Sequence, residues 1–302
     1  MTKFTLKLIA FKVRKDWKNN DKKRDKGKEI PQSIQIFDNI SYGKHGKYNK
    51  LAIYNKKENL NKKMPCIVVF HGGGFFYGTK DVYKFYSADL ALRDFIVLTF
   101  NYRLAPSHQY PSQLEDINQV MKWLCQNAEN YNIDLDNLFF AGDSAGGSLV
   151  YTYTTMLSNP EFARKFDFDL PSQIKPKAIA INCGFCDFYL PGPDSPENLM
   201  LTGYLGKNGK EKYKDQLQVQ NYVTKNFPPV YVTSASHDFV LYQFQPLTEV
   251  FTSRGVQIIS KIYGSKDDES AIHVFNIDSS LPLAKECNDD ECNFFKSFIS
   301  YK

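Results

Sequence analysis

Five short apolar runs, separated by amphipathic stretches, constrain this chain more than any other feature. They lie at 66–70, 96–100, 138–141, 178–181 and 230–233. None alternates apolar with polar residues, so each suits a strand buried on both faces, as in a parallel sheet covered by helices. The stretches near 81–93, 112–130, 146–158 and 243–254 are each long enough for a crossover helix. This rhythm predicts an α/β fold with an open, doubly wound sheet. Residues 33–40 and 51–54 read as antiparallel leading strands, 256–263 as the last strand, and 281–300 as a closing helix.

Two regions interrupt the rhythm. Residues 1–30 precede the sheet. Residues 187–226, opening Asp187-Phe188-Tyr189-Leu190-Pro191-Gly192-Pro193, separate two predicted strands by far more than an ordinary connection. The chain thus divides into a segment 1–30, a first core part 31–186, an insert 187–226 and a second core part 227–302. Both extra segments are candidates for a cap over the carboxyl ends of the strands, where open α/β sheets carry their sites.

Charge is uneven. Residues 1–30 hold 11 Lys/Arg and 4 Asp/Glu, a balance of +7; the rest holds 38−11 = 27 basic and 33−4 = 29 acidic residues, a balance of −2. The basic arm reads as a solvated helix and loop. No recognition motif and no basic stripe elsewhere points to nucleic acid. The apolar runs are too short to cross a bilayer, and the N-terminus lacks the apolar core and small-residue cleavage site of a signal peptide. A cytoplasmic chain with no stable membrane association is the expectation. Among the six cysteines, Cys66 and Cys125 read as buried small hydrophobes. Cys183 and Cys186 form a CxxC, but Cys287 and Cys292 are spaced too widely, and neither pair has a Gly-rich knuckle. Free thiols are therefore expected, with no metal and no cofactor.

Two glycine-rich turns follow buried strands. Gly142-Asp143-Ser144-Ala145-Gly146-Gly147 fits G-x-S-x-G in the required strand–turn–helix context. A turn that tight exposes the Ser144 hydroxyl in a strained backbone, at a helix N-terminus whose N–H groups face any anion formed there. His71-Gly72-Gly73-Gly74-Phe75 leaves backbone N–H groups open for an oxyanion, and no G-K-[ST] follows to suggest a phosphate cradle. A nucleophilic serine needs a base and an orienting acid, in the chain order Ser, acid, His for this architecture. Of five histidines only His237 and His273 follow Ser144. Asp238 ends a predicted strand and His273 lies in the loop after the last one, on the same sheet edge as Ser144. His237 adjoins the acid, and a base and its orienter are rarely sequence neighbours. Asp267, Asp268 and Glu269 crowd the histidine loop and read as a solvated charge run.

HGGGFFYG at 71–78, NYRLAP at 101–106, GDSAGG at 142–147, HD at 237–238 and HVF at 273–275 together resemble the hormone-sensitive-lipase-like family of α/β-hydrolases, over roughly 65–300. The resemblance implies an eight-stranded, mostly parallel sheet flanked by helices. It also implies a helical cap built from the N-terminus and the insert after the sixth strand. It assigns Ser144, Asp238 and His273 as a catalytic triad, Gly73, Gly74 and Ala145 as oxyanion donors, and His71 as a brace. Ser107 stands where the family's YRLAPE carries its acid, and Leu241-Tyr242-Gln243 occupies a stretch where an acidic pair is usual. Neither departure removes a reacting group.

The implied activity is hydrolysis of small-molecule carboxylic esters with short acyl chains. Gly72, Phe75, Phe76, Tyr77, Asp143, Phe185, Phe188, Tyr189, Leu201 and Tyr204 are the candidate pocket walls; the same aromatics also suit plain packing of the cap onto the sheet. The alternatives are a deacetylase of acetylated sugars or amides with the same triad, and a non-catalytic small-molecule receptor on the same fold. The last strand and closing helix are the candidate surface for a homodimer.

Overall fold

In the computed structural model, residues 3–190 and 197–300 are described. Pro191, Gly192 and Pro193, in the opening of the expected insert, lie outside them. Eight strands form one sheet: β1 (Ile34–Ser41), β2 (Lys50–Lys56), β3 (Met64–Phe70), β4 (Ile96–Phe100), β5 (Ile133–Asp143), β6 (Ala178–Asn182), β7 (Val230–Ala235) and β8 (Ile258–Tyr263). Their order is β1-β2-β4-β3-β5-β6-β7-β8. β2 runs antiparallel to β1 and β4, and every other pair is parallel. The five apolar runs are the centres of β3 to β7. β5 starts five residues before its apolar run, because Ile133 and Asp134 pair with Met64 and Pro65 ahead of a register irregularity.

The helices are α1 (Lys3–Arg24), α2 (Lys84–Ala91), α3 (Ser112–Asn127), α4 (Ala145–Ser158), α5 (Pro160–Ala163), α6 (Glu197–Leu205), α7 (Gly209–Lys212), α8 (Lys214–Leu217), α9 (Phe244–Ser253) and α10 (Pro282–Lys296). Successive strand residues point to opposite sheet faces, and the core divides accordingly. Cys66, Val68, Phe140 and Ile181 join Leu114, Ile117 and Met121 of α3 and Leu149 of α4 on one face. Ile67, Val69, Phe139 and Ala180 join Leu90 of α2 and Phe295 of α10 on the other. Complete burial of each such side chain is worth about 1.5–3 kcal/mol. A sheet held from both sides fixes the carboxyl ends of β3, β5 and β7 relative to one another. Among the described residues, no helix is long and apolar enough to cross a membrane.

Two expectations need correction. The basic arm is a helix with exposed lysines, as expected, but it is not solvated all round. Leu6 and Ala10 of α1 are buried, and Arg14 donates to the carbonyls of Phe76 and Ala105, both at 2.8 Å. The Tyr77 hydroxyl donates to Asp21 at 2.5 Å, and Arg24 donates to the Val82 carbonyl at 3.0 Å. Residues 6, 10, 14, 17, 21 and 24 share one helical face. That face mixes Leu6, Ala10 and Trp17 with Arg14, Asp21 and Arg24, so hydropathy did not mark it as a docking face. The second correction is Cys125, which is only half-buried.

Candidate active site

The turn after β5 brings Ser144 to the sheet edge with φ +51° and ψ −118°, a conformation an L-residue adopts only under constraint. The constraint is steric. A Cβ on Gly142 would lie 2.6 Å from the Gly146 carbonyl oxygen, and one on Gly146 would strike the Phe70 carbonyl. The Ser144 N–H donates to the Asn182 carbonyl at 2.9 Å, tying the turn to the end of β6.

His273, in the loop between β8 and α10, reaches this serine. Its Nε2 lies 2.9 Å from Ser144 Oγ and its Nδ1 lies 2.7 Å from Asp238 Oδ1. With Nδ1–H donating to the carboxylate, Nε2 is left to accept from the serine hydroxyl. Asp238 sits just beyond β7. It also accepts from the Val240 N–H at 2.9 Å and from the Ser234 hydroxyl at 2.8 Å. Burial alone would raise its carboxyl, but His273 foremost, with the Val240 N–H, outweighs it and holds the group below its ordinary value. His237 is exposed and turns away, its Nε2 3.0 Å from the Lys266 carbonyl. Asp268 bonds the Ser270 N–H and hydroxyl of its own loop rather than His273.

The loop after β3 lies beside this group. His71 is buried, stacked on Tyr102 with ring centroids 4.0 Å apart, and its Nδ1 lies 2.8 Å from the Gly72 carbonyl. Burial lowers its pKa to about 4, so it is a neutral structural ring. Gly73 and Gly74 are half-buried with φ of +104° and +57°. Among the described residues no backbone acceptor takes the N–H of Gly73 or Gly74, and the Ala145 N–H opens α4, where a helix supplies no partner. α1 and α6 roof the loop: a Cβ on Gly74 would strike the Met200 methyl and lie 3.4 Å from Trp17.

The expected pocket walls divide. Phe75 stacks on Tyr204 at 3.7 Å with ring planes 3° apart, and both lie near Phe188. These three, with Phe76 and Leu201, are buried in packing that joins the loop to the insert, whereas Tyr77, Phe185 and Tyr189 are half-exposed. Gly72 and Asp143 are buried too. Asp143 is not an open wall; its Oδ2 accepts from the Tyr83 hydroxyl at 2.6 Å. An open depression of about 730 Å³, lined by residues such as Lys63, Asp134 and Lys177, holds none of these groups.

The cysteine pairs separate. Cys183 and Cys287 join one apolar cluster, Cys186 and Cys292 two others. Cys183, Asp238 and His273 do place donor atoms within 4.8 Å of one another. However, Asp238 and His273 are already paired, and burial raises the Cys183 thiol well above its ordinary value, away from the thiolate that metals bind. Several contributors carry no local sequence signal: Ser234, the Phe239 ring 4.2 Å from the His273 ring, and Gln243. Gln243 stands in the stretch that departs from the family pattern. Its side chain accepts from the N–H groups of Cys186 and Asp187 and donates to the Asp187 carbonyl, anchoring the start of the insert.

Comparison with known proteins adds to this geometry. The BD-FAE family model matches residues 51–247, well over half of the chain. Arylacetamide deacetylase of Bos taurus is 34% identical over 144 residues, which is 40% of this chain and 35% of that protein. Carboxylesterase NlhH of Mycobacterium tuberculosis is 27% identical over 222 residues, 66% of this chain and 64% of that one. The chain thus spans from about a third to just under two thirds of the length of these curated relatives. Among solved structures, esterase B from Lactobacillus rhamnosis, inhibited by a tributyrin phosphonate, superposes with a TM-score of 0.90 at 22% identity, covering 99% of this chain and 96% of that one. The hyperthermophilic esterase from Pyrobaculum calidifontis gives 0.77 at 21% identity, covering 95% and 91%. At these identities the likeness shows the fold, that of the α/β-hydrolases.

Proposed function

The chain belongs to the BD-FAE family, and from that premise we propose that it is a serine carboxylesterase that hydrolyses short-chain esters through an acyl-enzyme. The observation that carries this reading is the unbroken hydrogen-bond chain Ser144–His273–Asp238, with links of 2.9 and 2.7 Å. Ser144 Oγ attacks the ester carbonyl while His273 Nε2 takes its proton. Asp238 keeps Nδ1 protonated and stabilises the imidazolium. The N–H groups of Gly73, Gly74 and Ala145 receive the oxyanion, each worth about 2.7–4 kcal/mol in the transition state. His273 returns its proton to the leaving alcohol. Water, deprotonated by the same imidazole, then frees the acid and restores Ser144.

Residues 1–30 and 187–226 act as the cap. The closed stack of Phe75, Phe188 and Tyr204 supports a small acyl site, for acyl chains below about eight carbons. The proposal includes a cytoplasmic location, which cell fractionation tests. Ser144→Ala should lower turnover by about 10⁶-fold; a loss below tenfold overturns the assignment. A panel of p-nitrophenyl esters should peak at acetate to hexanoate, and a peak at palmitate would reject the short-chain reading. The likeness to an arylacetamide deacetylase favours one second reading, hydrolysis of aryl acetamides. A higher kcat/KM on an aryl acetamide than on the matched aryl acetate would favour it.

A further inference from the structure

Between the two loops of the site runs a hydrogen-bond chain that the mechanism above does not use. The Gly72 N–H donates to Tyr83 Oη at 2.7 Å, and the Tyr83 hydroxyl donates to Asp143 Oδ2 at 2.6 Å. Gly72 immediately precedes Gly73, and Asp143 immediately precedes Ser144. One phenol therefore joins the loop that carries two backbone donors to the turn that carries the hydroxyl.

The bridge is tightly fitted. Gly72, Tyr83 and Asp143 are all buried. A Cβ on Gly72 would lie 2.5 Å from Asp143 Oδ2, 2.9 Å from the Asp143 carbonyl oxygen and 3.1 Å from Tyr83 Oη, so only glycine admits this approach. The other carboxyl oxygen of Asp143 is buried without a partner among the described residues, which leaves Tyr83 as its one side-chain donor there. Tyr83 is itself held. It sits at the start of α2, where its carbonyl accepts from the Ser87 N–H at 2.8 Å, and its ring lies 5.9 Å from that of His71 and 6.3 Å from that of Tyr86. Arg24 of the roofing helix bonds the carbonyl of Val82, the residue before it. The bridge thus has a rigid support and one geometry.

We propose that Tyr83 is a positioning residue: by hanging Gly72 from Asp143 it holds the N–H groups of Gly73 and Gly74 in register with the Ser144 hydroxyl. The proposal rests on the reading of those groups as oxyanion donors. A bridge of this kind acts on the transition state, where the oxyanion forms, and leaves ground-state binding nearly untouched. Phenylalanine at position 83 would fill the same volume and remove only the oxygen, leaving a buried N–H and a buried carboxyl oxygen unpaired.

The test is steady-state kinetics on p-nitrophenyl butyrate. Tyr83→Phe should lower kcat by about 10- to 100-fold, since each lost or misplaced donor costs at most about 10³, with KM within twofold. Affinity for an alkyl boronic acid, whose adduct places an oxygen among the same donors, should fall by the same factor as kcat/KM. Asp143→Ala and Tyr83→Phe should be non-additive in combination, because both cut one bridge. If Tyr83→Phe does not fold, the contrast at position 143 decides. Asp143→Asn keeps an acceptor for the phenol and should lose less activity than Asp143→Ala. A kcat within twofold of wild type in Tyr83→Phe, a rise in KM alone, additivity of the two changes, or equal losses in Asp143→Asn and Asp143→Ala would each overturn the proposal. Failure of the parent reading looks different: Ser144→Ala would then keep its activity, whatever residue 83 is.

Discussion

Two kinds of buried acid surround Ser144, and the protein treats them in opposite ways. Asp238, beyond β7, receives the imidazole of His273, a backbone N–H and a hydroxyl, and stays below the ordinary carboxylate value despite its burial. Asp143 and Glu291 are buried as well but have fewer donors. Burial pushes Asp143 up to about 6, the Tyr83 bond offsetting it only in part. Burial pushes Glu291, on α10, up to about 7, against bonds from the Asn182 amide at 2.7 Å and the Tyr86 hydroxyl at 3.4 Å. Asp238 is the least deeply buried of the three and has the most donors, and both differences act to keep its carboxyl low while burial raises the other two. The acid held low is the one that pairs with His273 Nδ1, where the proposed mechanism needs an imidazolium stabilised. The other two wire the Ser144 turn to its surroundings: Asp143 through Tyr83 to Gly72, and Glu291 through Asn182, whose carbonyl takes the Ser144 N–H.

This contrast breaks if the charged acid proves dispensable. Asp238→Asn preserves the shape but favours the wrong imidazole tautomer, so kcat on p-nitrophenyl butyrate should fall by about 10⁴-fold. A loss below tenfold would place Asp238 with the structural acids.

The second way to sharpen it is through pH and stability. Glu291 holds its proton more tightly when folded, at about 7, than at its unfolded value of 4.5. Below the lower value both states are protonated and the group has no effect. As pH rises through the window between them the unfolded state ionises first, so the native state loses stability, on the order of 3 kcal/mol by pH 8. Glu291→Gln keeps an acceptor for Asn182 and removes the ionisation. Its urea midpoint should therefore gain on the wild type between pH 5 and pH 8; a constant difference across that range would contradict the assignment.

The smallest effect concerns the roof. Trp17 lies over Gly74 and edge-on to Tyr77, with ring centroids 5.9 Å apart. An aromatic contact of this kind is worth about 0.5–1.5 kcal/mol, so Trp17→Ala should lower kcat/KM by roughly two- to tenfold. Unchanged kinetics would separate α1 from the site.

What could be read in the chain follows from backbone demands. Runs without polar alternation mark β3 to β7 because a strand buried on both faces tolerates little else. Gly142 and Gly146 mark the turn at Ser144 because no side chain fits there. Asp238 and His273 were legible from their places after strand ends, and the structure brings both to Ser144. The family resemblance pointed to residues 1–30 as part of a cap, but composition did not show which face of α1 docks, since that face mixes Leu6, Ala10 and Trp17 with Arg14, Asp21 and Arg24.

The sequence alone thus determined the sheet, the two glycine turns and the three side chains that meet at its edge, because each leaves a local mark in spacing or composition. Tertiary structure alone decided that Tyr83 bridges the two turns, that Ser234 completes the shell of Asp238, and that Glu291 reaches Asn182 from a helix 109 residues away. Those are ordinary residues whose role arises only when distant elements pack, and a hydrogen bond made across the core imposes no pattern on the chain around either partner.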